Sequence, residues 1–359
     1  MLGRQGYGKP RGRKNMTARY SGKRVMSGAL LGAAALALSV SSNFNGALAQ
    51  ERPLFVNIGS TASSSGHYPY WVAVGQSVET GSAGQIISNV METGSSLDNI
   101  RRLGRGEIEF GLVTAEAAAQ AYLGRGVFEG EEPRKDLRTL WYYVATPNMF
   151  IVRADAGVET LSDLSGKPMN PGIPGSSTES IAQATFETLG IDVELVRGST
   201  ADAIAATRDG QVVGFVKSAA GIHTPDSSFV ELNTFVDVRV IGLSEEQVEL
   251  VTEAYPYFPP ITVPPGVYDG QDDPYHTLAV VPGGVATVDS LSEEDAYEVV
   301  KHVFEQKALQ DDAFGGVRDV NYAELTLEFS ITPLHAGAVR YFREIGVEVP
   351  EHLVPEEAR

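Results

Sequence analysis

Short apolar runs of strand character alternate along the chain with stretches whose apolar residues recur every three or four positions. Residues 54–58 predict a strand and 70–78 a helix, broken by the turn at 81–84. A second strand is expected over 86–92, followed by a helix whose stripe is Leu97, Ile100 and Leu103. A third pair follows, strand 110–113 and helix 115–123. Strands and helices in alternation with short connections predict a parallel α/β fold rather than a sandwich or bundle.

Residues 137–152 form a longer β-rich run, interrupted at Pro147, that is expected to carry the chain from one lobe to another. Beyond it the alternation resumes with strands at 193–196, 211–216 and 238–242 and helices at 200–208 and 244–254. The aromatic and proline cluster at 255–260 predicts a packed connector. Strands at 278–281 and 284–288 are expected to return to the first lobe, and helices over 292–307 and 333–345 complete it. The expected division is lobe 1 from residues 50–150 and 275–359, and lobe 2 from 151–274.

Three strand–loop–helix junctions are rich in hydroxyls. The first contains Ser60, Thr61, Ser63, Ser64, His67 and Tyr68; the second Thr93, Ser95 and Ser96; the third Gly175, Ser176, Ser177 and Thr178. Ser95 with Asp98, and Ser176 with Glu179, have capping-box spacing. Free amides and hydroxyls at helix starts favour anions. In open α/β sheets the loops at the carboxyl ends of strands meet at the ligand crevice. The three junctions are therefore expected to converge on one cleft between two lobes. Thr114 and Ser218 end strands on that side, and Lys217 is the candidate partner for a ligand carboxylate.

Charge sharpens this picture. Residues 1–49 hold eight of the 28 basic residues and none of the 46 acidic ones, ahead of a short apolar run and the small-x-small pattern Ala47-Leu48-Ala49. This predicts a secretory signal peptide cleaved before Gln50, and hence a periplasmic protein. The remainder carries 20 bases against 46 acids, a formal charge of −26. Such a field excludes nucleic acid as a partner, so an anion must be held by local donors. Absence of cysteine excludes disulfides, thiolate metal sites and cysteine nucleophiles. The six histidines never take metal-ligand spacing, and no nucleophile elbow, phosphate loop or dinucleotide fingerprint occurs. No catalytic set, metal or cofactor is expected, nor any membrane-spanning segment after the leader.

At these motifs the sequence resembles the TAXI family, the solute-binding subunits of TRAP (tripartite ATP-independent periplasmic) transporters. Residues 58–69 match the length of the family's loop Ile-Gly-Thr-Gly-Gly-Thr-Gly-Gly-Thr-Tyr-Tyr-Pro, keeping Gly59, a hydroxyl at Ser63, Tyr68 and Pro69. Residues 93–99 are similar to its Thr-Gly-Gly-Ser-Val-Glu-Asn, and 174–178 to its Pro-Gly-Ser-Gly-Thr. Tyr255-Pro256-Tyr257 and the segment 333–342 complete the likeness. It departs from the pattern at Thr61, Ala62, Ser64 and Ser65, where glycines are usual, and at His67, Thr114 and Lys217.

The resemblance implies a type II periplasmic-binding-protein fold, two α/β lobes around a ligand cleft. It also implies a protein, expected to be a monomer, that hands glutamate, 2-oxoglutarate or a related dicarboxylate to a membrane permease. The alternative is a periplasmic sensor that binds the same class of ligand for a signalling receptor.

Overall fold

Pattern becomes architecture first at residue 54, where alternate side chains of a strand are buried and exposed. The computed structural model describes residues 53–63, 65–219, 221–223 and 225–359. The expected leader and its cleavage point, and Ser64, lie outside the described residues. In β1 (Leu54–Gly59), Val56 and Ile58 are buried while Phe55 is 66% exposed. The helix that follows, α1 (Tyr68–Gly81), buries Tyr70, Trp71, Val74 and Val78 in the same core. Pro69 sits in its first turn, where the missing N–H costs no hydrogen bond.

The chain then alternates β2 (Ile86–Met91), α2 (Ser96–Gly104), β3 (Phe110–Thr114) and α3 (Ala115–Leu123). It continues through β4 (Leu137–Tyr142), β5 (Thr146–Arg153), β6 (Pro168–Asn170), α4 (Ser177–Thr188), β7 (Glu194–Leu195) and α5 (Thr200–Arg208). Next come β8 (Gly214–Ser218), α6 (Ser227–Asn233), β9 (Val238–Ile241), α7 (Glu245–Ala254), β10 (Pro260–Val263) and β11 (Tyr275–Val280). The last elements are β12 (Pro282–Thr287), α8 (Glu293–Glu305), α9 (Lys307–Ala313), α10 (Tyr322–Phe329) and α11 (Ala336–Glu344).

Two sheets result. The first has the order β2-β1-β3-β12-β4, with β1 parallel to β2 and β3, and β12 antiparallel to β3 and β4. The second runs β10-β11-β5-β8-β6-β7, with β9 also paired to β5. This is the expected α/β organisation, the returning strand β12 lying between β3 and β4. β5 serves two cores because its side chains alternate: Phe150 and Val152 face one, Met149 and Ile151 the other. Gly214 lets β8 lie on β5, since a Cβ there would sit 2.0 Å from the Ile151 carbonyl oxygen.

Two expectations about the crossings need correction. The break in the β-rich run falls at residues 143–145, and Pro147 lies inside β5, where it pairs with Ala279 and its carbonyl accepts from Ala219 N–H at 3.0 Å. A proline near a strand's start loses only a donor, and its acceptor remains in use. The return to the first sheet also comes one strand late. β11 pairs with β5 and β10 in the second sheet, and only β12 joins the first. The cluster at 255–260 is a packed connector, with Phe258 1% exposed in a core of the second sheet. No helix among the described residues is long and apolar enough to cross a membrane.

Candidate functional site

The chain crosses between the sheets at 143–145 and again at Val281, and a cavity of about 270 Å³ lies beside these crossings. From the first-sheet side Thr61, His67, Ser95 and Thr114 line it; from the second-sheet side Ser176, Ser177, Thr178, Lys217 and Ser218 do. The three polar junctions therefore do meet at one hollow. On its wall β3 meets the start of α4, the hydroxyls of Thr114 and Ser177 being in direct hydrogen-bonding contact. Ser96 Oγ accepts from Thr114 N–H at 3.3 Å, while Thr146 and Ser218 share a hydrogen bond of 2.6 Å.

The other candidate residues hold the loops rather than line the cavity. Ser60 is buried, and its carbonyl accepts from Thr93 Oγ1 and from Asn99 Nδ2, both at 2.8 Å. Ser63 is turned to Glu92, donating from N–H at 2.8 Å and from Oγ at 3.0 Å. Tyr68 opens α1, and Ser96 is buried against Thr114. Gly175 has φ of 77° and donates its N–H to Glu179 Oε2 at 2.7 Å, so its role is to turn the chain into α4. Ser176 does both: it lines the cavity and caps α4 by accepting from Glu179 N–H at 3.2 Å.

Ser95 departs from the capping box its spacing predicts. Its side chain makes no cap hydrogen bond; instead Asp98 Oδ2 accepts from Gly94 N–H at 3.0 Å. With φ 74° and ψ −155°, Ser95 occupies a region that is almost the preserve of glycine. Such strain costs about 1–3 kcal/mol and gathers at functional sites. Here it accompanies a hydroxyl-bearing side chain on the cavity wall. Ser95→Gly is expected to stabilise the fold by about 1 kcal/mol while weakening ligand binding severalfold; denaturant midpoints and ligand titration measure the two effects separately.

Electrostatics comes from four groups. Lys217 Nζ donates to both carboxylate oxygens of Asp226, at 2.8 and 2.7 Å, and Asp226 also accepts from Ser228 N–H at 2.8 Å. Burial, then the charge of Lys217, push His67 down to about 4, against an opposing pull from Asp226. The imidazole is therefore neutral at pH 7. Its Nδ1 lies 3.1 Å from the Tyr143 hydroxyl. With Tyr143 as donor the ring hydrogen belongs on Nε2, making that nitrogen a donor. Tyr143 in turn stacks on Tyr70 at 3.7 Å, and Tyr70 accepts from Trp141 Nε1 at 2.9 Å.

Glu116, in the first turn of α3, is fully buried with neither carboxylate oxygen hydrogen-bonded. Burial drives it up to about 7, against weaker pulls from the hydroxyls of Thr114 and Ser177.

Sequence reasoning missed Asp226, Glu116 and Phe314, of which the first and last line the cavity. A signal existed for Asp226. β8 ends at Ser218 and the next helix, α6, starts at Ser227 with Asp226 as its cap, the same strand-to-helix order as at the other three junctions. Phe314, after α9, comes from too far along the chain for any local pattern to announce it. No group of His, Cys, Asp and Glu among the described residues could hold a metal ion.

Similar solved structures include a TRAP periplasmic solute-binding protein from a Sulfitobacter species with bound β-D-galacturonate. It is 14% identical, covering 82% of this chain and 87% of its own, with a TM-score of 0.45. The alkanesulfonate-binding protein SsuA from Xanthomonas axonopodis pv. citri bound to MOPS is 16% identical, covering 86% and 98%, with a TM-score of 0.45. The sugar acid binding protein DctPAm from Advenella mimigardefordensis with galactonate is 14% identical, covering 83% and 86%, with a TM-score of 0.43. Beside these likenesses stands a family match that spans residues 58–346, from the first polar loop to the end of the last long helix, and by it this chain belongs to the NMT1-like family.

Proposed function

We propose that this chain is the extracytoplasmic solute-binding protein of a TRAP-type transporter, of the TAXI kind. It would capture a small carboxylate in the cleft and deliver it to a membrane permease. One observation carries the reading: polar turns from distant parts of the sequence, together with Lys217, line a single cavity. In a dry cleft such donors favour a carboxylate over a neutral isostere, because a charge-assisted hydrogen bond is about twice as strong as a neutral one. The Lys217 ammonium, already fixed by Asp226, costs little entropy to orient.

Thr114 of the first sheet and Ser177 of α4 already touch, and a ligand bonded to residues on both walls would favour this closed form. The permease would then recognise the liganded shape, and the periplasm would be the compartment. Binding and release, rather than turnover, is the proposed activity. The resemblance makes glutamate and 2-oxoglutarate the first solutes to try. Titration calorimetry with short mono- and dicarboxylates is expected to give saturable one-to-one binding of at least one acid, with no heat from its primary amide. Equal binding of acid and amide would refute the reading.

A further inference from the structure

The charge balance of the cavity wall narrows the ligand class. Lys217 and Asp226 are the charged side chains among the described residues that line the cavity. They neutralise each other, with side chains only 15% and 4% exposed. An ammonium has three N–H donors, and two of Lys217's are spent on Asp226. One is left for a ligand. Much of the remaining wall is apolar: Leu112, Ile173, Val216, Val280, Pro282 and Phe314.

A first carboxylate can take the remaining Lys217 hydrogen and the hydroxyls at the start of α4. A second would find no further cation in the cavity, only the neutral imidazole of His67, whose Nδ1 is taken by Tyr143. It would either approach Asp226 or lose its water against an apolar wall, and an unpaired buried charge is among the costliest states in a protein. We propose that the cleft selects a monocarboxylate with an apolar body, and that Asp226 is the residue that excludes a second negative charge. This rests on the cleft being a carboxylate site, and it departs from the dicarboxylates that the family resemblance offers.

The test is titration calorimetry of the protein with 4-methylpentanoate, glutarate and leucine, in the wild type and in Asp226→Asn. Asparagine caps a helix as well as aspartate and can still accept from Lys217 and Ser228, so the contacts are kept, although the Lys217 ammonium loses its counter-charge and some stability with it. In the wild type 4-methylpentanoate is expected to bind at least tenfold more tightly than glutarate, and more tightly than leucine. Asp226→Asn is expected to reduce the glutarate gap to threefold or less. Glutarate equal to or tighter than 4-methylpentanoate in the wild type would overturn the inference while leaving a carboxylate site in place. So would a gap that Asp226→Asn does not change. Tighter leucine would overturn it too, since Asp226 would then be reading an ammonium. If no acid binds at all, the carboxylate reading itself fails and takes this inference with it. The wild-type comparison decides the matter even if the variant does not fold.

Discussion

Lys217→Ala is expected to destabilise the fold by about 3–5 kcal/mol, because it strands a buried carboxylate. Asp226 has a side chain 4% exposed, and without Lys217 it keeps only the Ser228 N–H as a partner among the described residues. The loss measures an uncompensated charge rather than the worth of the pair. Removing both charges should therefore be far milder. The double variant Lys217→Met/Asp226→Asn is expected within about 1 kcal/mol of the wild type, since buried ion pairs and uncharged groups of similar volume are often near-equal in stability. Urea midpoints of the single and double variants read this directly. A single variant as stable as the double would mean that the pair is solvated and electrostatically idle.

Glu116→Gln carries the second large effect, and it depends on pH. The carboxyl of Glu116 titrates at about 7 in the fold against an ordinary value of 4.5, so between these values the folded state holds a proton that the unfolded state has lost. Stability from this group is full below pH 4.5, declines as the pH rises, and levels off above 7 after a loss of about 3 kcal/mol. His67 and His335, both lowered to about 4 chiefly by burial, work in the opposite sense. They cost stability as the pH falls from 6.5 to 4, and so partly offset Glu116 on the acid side. Comparing the variant with the wild type at each pH isolates Glu116. Glu116→Gln is expected to match the wild type at pH 4 and to exceed it by about 2–3 kcal/mol at pH 8. An equal difference at both values would show that the carboxyl does not titrate in this range.

Much of the fold was legible because each element declared itself locally. Helix α3 runs over the residues its alternation with β3 predicts, and Ser176 with Glu179 marks the start of α4. The convergence of the polar turns was legible for a topological reason: loops leaving the same ends of parallel strands must lie near one another. What stayed hidden was the task of each hydroxyl. Ser95 and Ser176 share one capping signature, yet only Ser176 caps; the difference is a backbone φ of 74° at Ser95, imposed by the surrounding turn. Ser60, Thr93 and Ser96 belong to the same motifs but knit the loops together. An acid in a helix's first turn, as at Glu116, ordinarily complements the dipole in water. Here it is buried, with the Ser177 hydroxyl of α4 acting on it, which α3 alone cannot reveal. Lys217 was legible as a strand-end base, but its neutralisation was not, because Asp226 arrives from the loop beyond.

The proposed function requires that the polar crevice grip an anion. The most direct measurement is the calorimetric titration of short carboxylates into the wild type and the Lys217→Met/Asp226→Asn double variant, side by side. Saturable one-to-one binding in the wild type that weakens at least tenfold in a variant of nearly unchanged stability is the predicted result. Binding of the same strength in both proteins would place the ligand elsewhere and contradict it.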